Sequence, residues 1–515
     1  MKEWKLVFLL TLAALALRTL NYWLFSNELI VGGDQMQNIM LARHLANGDF
    51  YGVLHPYWTP LYPILIGFVT YFINSLILPS LILSILAGSL AVPLTYYLVK
   101  QSYGRRESVI AAVIAIFYPH LLTSVFRLGT ENIYLVWILG ALIVGWRGLK
   151  TSSATDFLFT GILLGLAYLT RPEAFAYPIF FGALAIGKSL WLKQKPLRNL
   201  LIQVGALLLG FAILASPYIL YLRTATGVWT ISDKTKINTI VGELDEVETE
   251  EGNVSNNSSS TINFQNGKVV IYAVAVNLTI IHKSFPSLLP PFLLIFVALG
   301  LFRELWNREK LLRESYLIIF CLITIVGYAL STVQIRYFYI LLPIFFGWIA
   351  HGIVQAEKWL QGTNQNWLPH RFFVSTNNRL VPALCLFVIY FYVFPLNFYI
   401  RDTARAWQEV AYEERAAGLW LKENSQPSPY IFSASQRPVF YAEGKQLSPT
   451  KRDMSEILTE IKTSRVDYVI TSDRSLKRNP YLSGLTEILQ NAPEFDLVYQ
   501  QEEYPGYKIF IFKPK

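Results

Sequence analysis

The chain has 515 residues, 53% of them hydrophobic and only 15% charged, with a formal net charge of +9. Soluble domains carry about a quarter charged residues, so this balance excludes an ordinary soluble enzyme and points to an integral membrane protein. The positive charge comes with no basic face or stacking-aromatic pattern, which argues against nucleic acid. It matches instead the cytoplasmic excess of Lys and Arg found in membrane proteins.

The first segment, Lys5 to Phe25, has a basic start and a long apolar body with no small-residue cleavage site after it. It reads as a retained first span rather than a signal peptide. A spanning helix needs about 20 mostly apolar residues. Stretches of this kind lie at 6–25, 80–99, 108–125, 131–147, 157–170, 174–190, 199–221, 287–302, 315–333, 337–353 and 380–398, about 11 spans in all. The run 60–76, PLYPILIGFVTYFINSL, is also apolar. Its prolines favour an interfacial or partly embedded helix.

With the N-terminus in the cytoplasm, the inner connections hold sixteen basic residues and the short outer ones four: Arg43, Arg127, Arg171 and Arg336. That asymmetry is the positive-inside pattern, and counting 60–76 as a span would destroy it. The outer side then carries a first loop at 27–79 and a large loop at 223–286. The large loop contains the acidic, Ser/Asn-rich tract GELDEVETEEGNVSNNSSSTINFQNG, expected to be mobile in part. Sequons at Asn253, Asn256, Asn257 and Asn277 are too common a pattern to carry weight. Cys321 and Cys385 both lie in apolar runs and suggest neither a disulfide framework nor a zinc site.

The tail 401–515 differs. Residues 402–424 read as an amphipathic helix. Short apolar runs follow near 430, at 466–471, 495–500 and 507–513, with a helical pattern at 453–463. Strands interleaved with helices predict a small α/β domain, and the span count places it outside the cytoplasm.

Charged residues recur where outer turns meet apolar spans. VGGDQMQNIMLARHLANGDF opens on Asp34, an Asp version of a capping box, and stops at Gly48. A carboxylate at such a position faces solvent and stays ionised, which suits a general base. Glu131 lies in RLGTENIY, Arg171 and Glu173 in LTRPEAFAYP, Arg336 and Tyr337 in VQIRYFYILLP. Ionisable groups at the membrane boundary are costly and tend to mark sites. Guanidiniums grip phosphate through paired donors and keep their charge, so Arg127, Arg171 and Arg336 are candidates to hold a lipid phosphate. His55, in LHPYWTP, is a further candidate, although a lone His beside proline often serves structure. GALAIGKS, Gly182 to Ser189, fits the P-loop expression, but it ends an apolar span and lacks the strand–loop–helix setting that the motif needs.

Taken in order, these motifs resemble the GT-C membrane glycosyltransferases, in particular the protein O-mannosyltransferase and aminoarabinose-transferase group (family 39). The series is an outer loop opening on an acid, HPYWTPLYPIL, the YGRR turn at Tyr103 to Arg106, an outer carboxylate, LTRPE, and RYFYILLP. The resemblance covers about residues 1–400 and, more loosely, the tail. It implies a GT-C-like catalytic membrane domain, N-in and C-out, in the plasma (inner) membrane, with an extracytoplasmic α/β domain at 401–515. It implies transfer of a hexose or pentose from a polyprenyl-phosphate donor to a lipid, glycan or protein acceptor, with inversion. Asp34 is then the general base, Arg171 and Arg336 stabilise the leaving phosphate, and Glu131 positions acceptor or sugar. No essential metal or other cofactor is expected. The chain departs from the family pattern in having Gln35 for the usual second acid and Asn38 for an aromatic, and it lacks a WWDYG-type motif. The alternatives are a transporter or flippase of a lipid-linked sugar, and a non-catalytic envelope assembly protein.

Overall fold

The computed structural model describes residues 2–25, 31–73, 75–192, 197–233, 267–331, 333–362, 411–501 and 507–515. The chain divides into two units. One comprises Met1–Trp23 with Leu41–Ile400, the other Leu24–Met40 with Arg401–Lys515.

The first unit is helical. Its elements are α1 Glu3–Phe25, α2 Gly33–Ala46 (whose first residues belong to the second unit), α3 Leu61–Phe72, α4 Leu78–Ser102, α5 Arg105–Phe117, α6 Pro119–Thr123, α7 Glu131–Thr151, α8 Ala154–Thr170, α9 Tyr177–Leu192, α10 Leu197–Thr226, α11 Gly267–Leu288, α12 Leu293–Phe302, α13 Arg308–Ala329 and α14 Leu342–Gly362. Short 3-10 turns at Ser124–Arg127, Pro172–Ala176 and Ile335–Leu341 lead into or out of these helices. Local chemistry sets several ends. The Ser153 hydroxyl accepts the Asp156 amide at the start of α8, and the Asn307 side chain does the same for Lys310 at the start of α13.

Among the described residues six helices are long and apolar enough to cross a bilayer, or eight if each of two bent pairs counts as one span. The bends fall at prolines, which cannot continue the hydrogen-bond ladder: 53° at Pro119, and 100° where Pro290 and Pro291 separate α11 from α12. Two expected spans, 157–170 and 174–190, are helices of 17 and 16 residues, and 380–398 lies outside the described residues. The expected span 287–302 is only the second arm of a bent pair. The expected outer loop 223–286 ends earlier than its acidic tract suggested, because α11 already begins at Gly267. The 12-residue α3 is about 18 Å long at 1.5 Å per residue, too short to span.

Packing is tightest where side chains vanish. A Cβ on Gly161 of α8 would sit 2.1 Å from the Leu207 carbonyl oxygen, and one on Gly210 of α10 would sit 2.2 Å from that of Leu158. The two backbones therefore meet through paired glycines, a common way for membrane helices to associate without a hydrophobic driving force.

The second unit holds a five-stranded mixed sheet, order β2-β1-β3-β5-β4. Its strands are β1 Tyr430–Ser433, β2 Lys445–Leu447, β3 Tyr468–Ser472, β4 Phe495–Gln501 and β5 Ile509–Pro514. β1 runs parallel to β2 and β3, whereas β5 runs antiparallel to β3 and β4. Alternation along the strands sends side chains to two apolar layers. Phe432, Val469, Phe510 and Phe512 pack with Ile457, Ile461 and Leu489 on one face, and Ile431, Ile470, Ile509 and Ile511 pack with Ala417 and Leu421 on the other. The expected strands all form, and the helix expected over 402–424 is described from Tyr412 to Asn424.

Candidate functional site

Three turns of the helical unit meet in a network of buried and partly buried charge. α7 and α8 are joined only by Ser152 and Ser153, so the start of the first lies beside the end of the second. Glu131 opens α7 and Arg171 closes α8. Arg336 enters from the 3-10 turn before α14. The Glu131 carboxylate lies 3.6 Å from Nη1 of Arg171 and 3.3 Å from Nε of Arg336. Arg171 also grips Glu173, with Nη2 at 3.1 Å and Nε at 3.5 Å. Its guanidinium stands 4.3 Å over the Tyr337 ring and 5.7 Å from that of Tyr134, and Arg336 stands 5.6 Å over Tyr337 on its own account. Nε of Arg336 also donates to Gln334 at 2.6 Å.

Two permanent cations and two carboxylates share this space. Burial opposes the charge on Arg171, but the carboxylates of Glu173 and Glu131 outweigh it and hold its pKa well above the ordinary arginine value. Every guanidinium nitrogen of Arg171 faces a carboxylate, whereas Arg127, exposed at the end of its 3-10 turn, has no carboxylate partner among the described residues.

The run HPYWTPLYP explains how the turns are held. The Thr59 hydroxyl donates to the Thr170 carbonyl at 2.7 Å, next to Arg171. The Tyr62 hydroxyl donates to the Leu128 carbonyl at 2.7 Å, three residues before Glu131. Leu128 sits in the left-handed region at φ 48°, an uncommon state for a residue with a branched side chain. After it, a Cβ at Gly129 would lie 2.0 Å from Oε2 of Glu131, so a side chain there would displace that carboxylate. The strap is itself tied down: the Tyr218 hydroxyl donates to the His55 carbonyl at 2.9 Å and that of Tyr221 to the Leu54 carbonyl at 3.0 Å. His55 belongs to this strap. Its Nδ1 accepts the Tyr57 amide at 3.0 Å, and burial lowers its pKa, with Asp233 pulling weakly the other way.

Asp34 lies in the second unit. The capping box read from the sequence does not form in that register. α2 begins at Gly33, the Met36 amide donates to the Gly32 carbonyl at 2.9 Å, and Asp34 sits within the first turn. Its exposed side chain places negative charge at the positive end of the helix. The Asn38 side chain donates to the Asp34 carbonyl at 2.7 Å. Gln35 turns inward and is buried, so close to Gly32 that a Cβ there would meet its Oε1 at 2.7 Å. A second acid at this position would be desolvated. The predicted stop at Gly48 is present, with φ +83° and its amide bonded to the Leu45 carbonyl.

What the sequence did not reveal is the anchor of this segment. The Val31 amide donates to the Tyr441 hydroxyl at 3.0 Å, and Arg437 donates to the Val31 carbonyl at 3.3 Å. Arg437 is fixed in turn by Glu414 at 2.6 Å. No sequence signal links positions about 400 residues apart. Tyr134 and Gln334 were missed as well, since each sits in an apolar or polar run without a charge to mark it.

Gly182 to Ser189 is helical throughout, inside α9, so the P-loop expression has no phosphate-cradling loop here. The Asn277 sequon lies in α11, where its buried amide donates to the carbonyls of Ala329 and Ser331, both at 3.0 Å. The other three sequons and Cys385 lie outside the described residues. Among the described residues, no three His, Cys, Asp or Glu side chains cluster as metal ligands.

Residues 55–221 match the family model described as dolichyl-phosphate-mannose-protein mannosyltransferase. No curated protein matches the chain by sequence. Solved structures match its fold. ArnT from Cupriavidus metallidurans, bound to undecaprenyl phosphate, aligns with TM-score 0.57 and 13% identity over 98% of this chain and 97% of its own. The archaeal oligosaccharyltransferase AglB from Archaeoglobus fulgidus, in complex with an inhibitory peptide and a dolichol-phosphate, aligns with TM-score 0.56 and 13% identity over 91% of this chain and 69% of its own.

Proposed function

We propose that this chain, a membrane protein of the GT-C glycosyltransferase fold with a mannosyltransferase-family segment at 55–221, moves a sugar from a polyprenyl-phosphate donor to an acceptor on the extracytoplasmic side. The observation that carries the reading is the network of the buried Glu131 and Arg171 with the partly buried Arg336 over Tyr337. Buried charge of this kind is costly to build and recurs where charge must be handled.

In the proposed reaction Asp34 takes the proton of an acceptor hydroxyl or amine. The acceptor forms a new bond to the anomeric carbon from the face opposite the phosphate. The sugar–phosphate C–O bond breaks, and its electron pair leaves on the phosphate oxygen. One such displacement inverts the anomeric centre, as direct attack does in inverting glycosidases. Arg127 and Arg336 stabilise the charge that grows on the leaving phosphate, an effect largest in the transition state. Arg171, saturated by carboxylates, is a positioning residue that fixes Glu131, and Glu131 orients sugar or acceptor. The cations supply the charge stabilisation without a metal ion. The excess of Lys and Arg in the opposite loops supports the outward-facing assignment.

The test is Asp34→Asn in purified protein supplied with polyprenyl-phosphate sugars. Transfer falls by about 10²-fold or more, the range for loss of a general base, while donor binding is retained. Unchanged turnover removes the base assignment. Donor movement across the bilayer without transfer to any acceptor would favour a flippase instead.

A further inference from the structure

α1 turns one face inward. Leu10, Ala14, Arg18 and Asn21 are buried at intervals of four, four and three residues, while Phe8, Leu12, Leu20 and Trp23 are exposed. The inward face starts apolar and small and then becomes a cation and an amide. A helix that served only as an anchor would stay apolar there. Arg18 is 1% exposed. Its Nη1 donates to the Ala14 carbonyl at 3.3 Å, its Nε is buried without an acceptor, and no carboxylate pairs with it among the described residues. Asn21 has a buried Nδ2 that also lacks an acceptor. On α4 the facing residue is Gly88, where a Cβ would stand 3.1 Å from Nε of Arg18 and 3.5 Å from Val125. Val125 follows Ser124, whose hydroxyl donates to Asn132 at 2.7 Å, and Asn132 carries a third buried Nδ2 without an acceptor.

The orphaned groups named are all donors, and one bears a permanent charge. A desolvated guanidinium without an anion is strongly unfavourable, so the arrangement is complementary to an anion rich in oxygen. α1 is long and apolar enough to span a membrane, and its other face is exposed and apolar, which favours an anion carried by a lipid. We propose that Arg18 and Asn21, beside Gly88, form an anion-binding position within the helix bundle that takes the phosphate ester of a lipid. Its assignment to the polyprenyl-phosphate donor, rather than to a phospholipid, rests on the function proposed above.

The experiment uses full-length protein in nanodiscs of phosphatidylcholine, with undecaprenyl phosphate, phosphatidylglycerol and inorganic phosphate as probes. Affinity and the shift in Tm are read for wild type and Arg18→Met. Undecaprenyl phosphate raises the wild-type Tm, and Arg18→Met binds it about tenfold or more weakly (~1.4 kcal/mol per factor of ten). Without added lipid the variant is no less stable than wild type, because an unpaired buried charge has been removed. Equal, Arg18-dependent binding of phosphatidylglycerol keeps the site and assigns it to phospholipid, even if the glycosyltransferase reading fails. Binding of inorganic phosphate alone overturns the lipid-borne ligand. A lowered Tm with unchanged affinity overturns the proposal and makes Arg18 structural. If Arg18→Met does not fold, Asn21→Leu keeps the charge and removes one donor. Weakened binding then supports the site, and unchanged binding overturns it.

Discussion

Tyr441→Phe removes a single oxygen from the contact that ties the Asp34 segment to the α/β domain. Val31 and Tyr441 are each only 2% exposed, and the 3.0 Å bond from the Val31 amide is made to the lost hydroxyl. Leaving a buried amide without a partner costs about 1–3 kcal/mol. The ring still fills its place, so the cost falls on the hydrogen bond rather than on packing. Arg437 still holds the Val31 carbonyl, so the segment is loosened rather than released. A loss of about 2 kcal/mol raises the population of locally open states about 30-fold. Hydrogen exchange of peptides covering residues 31–40 reads this directly, and protection falls by about that factor while peptides from the sheet are unchanged. If Asp34 is the base, kcat falls with it and affinity for undecaprenyl phosphate does not. Unaltered exchange over 31–40 in the variant would refute the reasoning, because it would mean that the tyrosine bond does not hold the segment.

Other outcomes follow from the same geometry. Tyr62→Phe frees the Leu128 carbonyl and relaxes a turn already held in the left-handed region. It lowers stability by about 1–3 kcal/mol and lowers turnover more than it lowers Tm alone would explain, as read by thermal unfolding alongside kinetics. Glu131→Gln removes the carboxylate that Arg171 and Arg336 share. Ground-state binding of undecaprenyl phosphate tightens while kcat drops, because the added attraction is not confined to the transition state; weakened binding would refute the charge balance described here. Prolonged treatment with a chelator leaves transfer unchanged, since arginines supply the cations of the proposed mechanism; activity lost to the chelator and restored by a divalent metal would refute that part of it.

The turns that build the Glu131 network were legible because charge is conspicuous in an apolar sequence. Arg171, Glu173, Arg336 and Glu131 each interrupt a hydrophobic run at its end, and helices of known polarity bring such ends together. Arg18 was hidden for the opposite reason. It sits late in a continuous apolar run, where a basic residue reads as snorkelling to the interface, and only the burial of its face shows that it points inward. The early start of α11 was hidden because its apolar stretch, broken by Asn277 and His282, is shorter than a spanning window. β2, three residues with no buried side chain, gave no alternating pattern at all.

The capping box at Asp34 failed on register, and the failure is informative. A side chain in the cap position spends its oxygens on the first free amides of the helix. One step further in, the carboxylate gains from the helix dipole, and the Gly32 carbonyl already takes the Met36 amide. The shift of a single residue therefore turns the expected cap into an exposed acidic side chain in the first turn. Gln35 extends the same logic. Folded against Gly32 and buried, it fills by packing a place where a second acid would be desolvated. Gln35→Glu thus adds a buried charge.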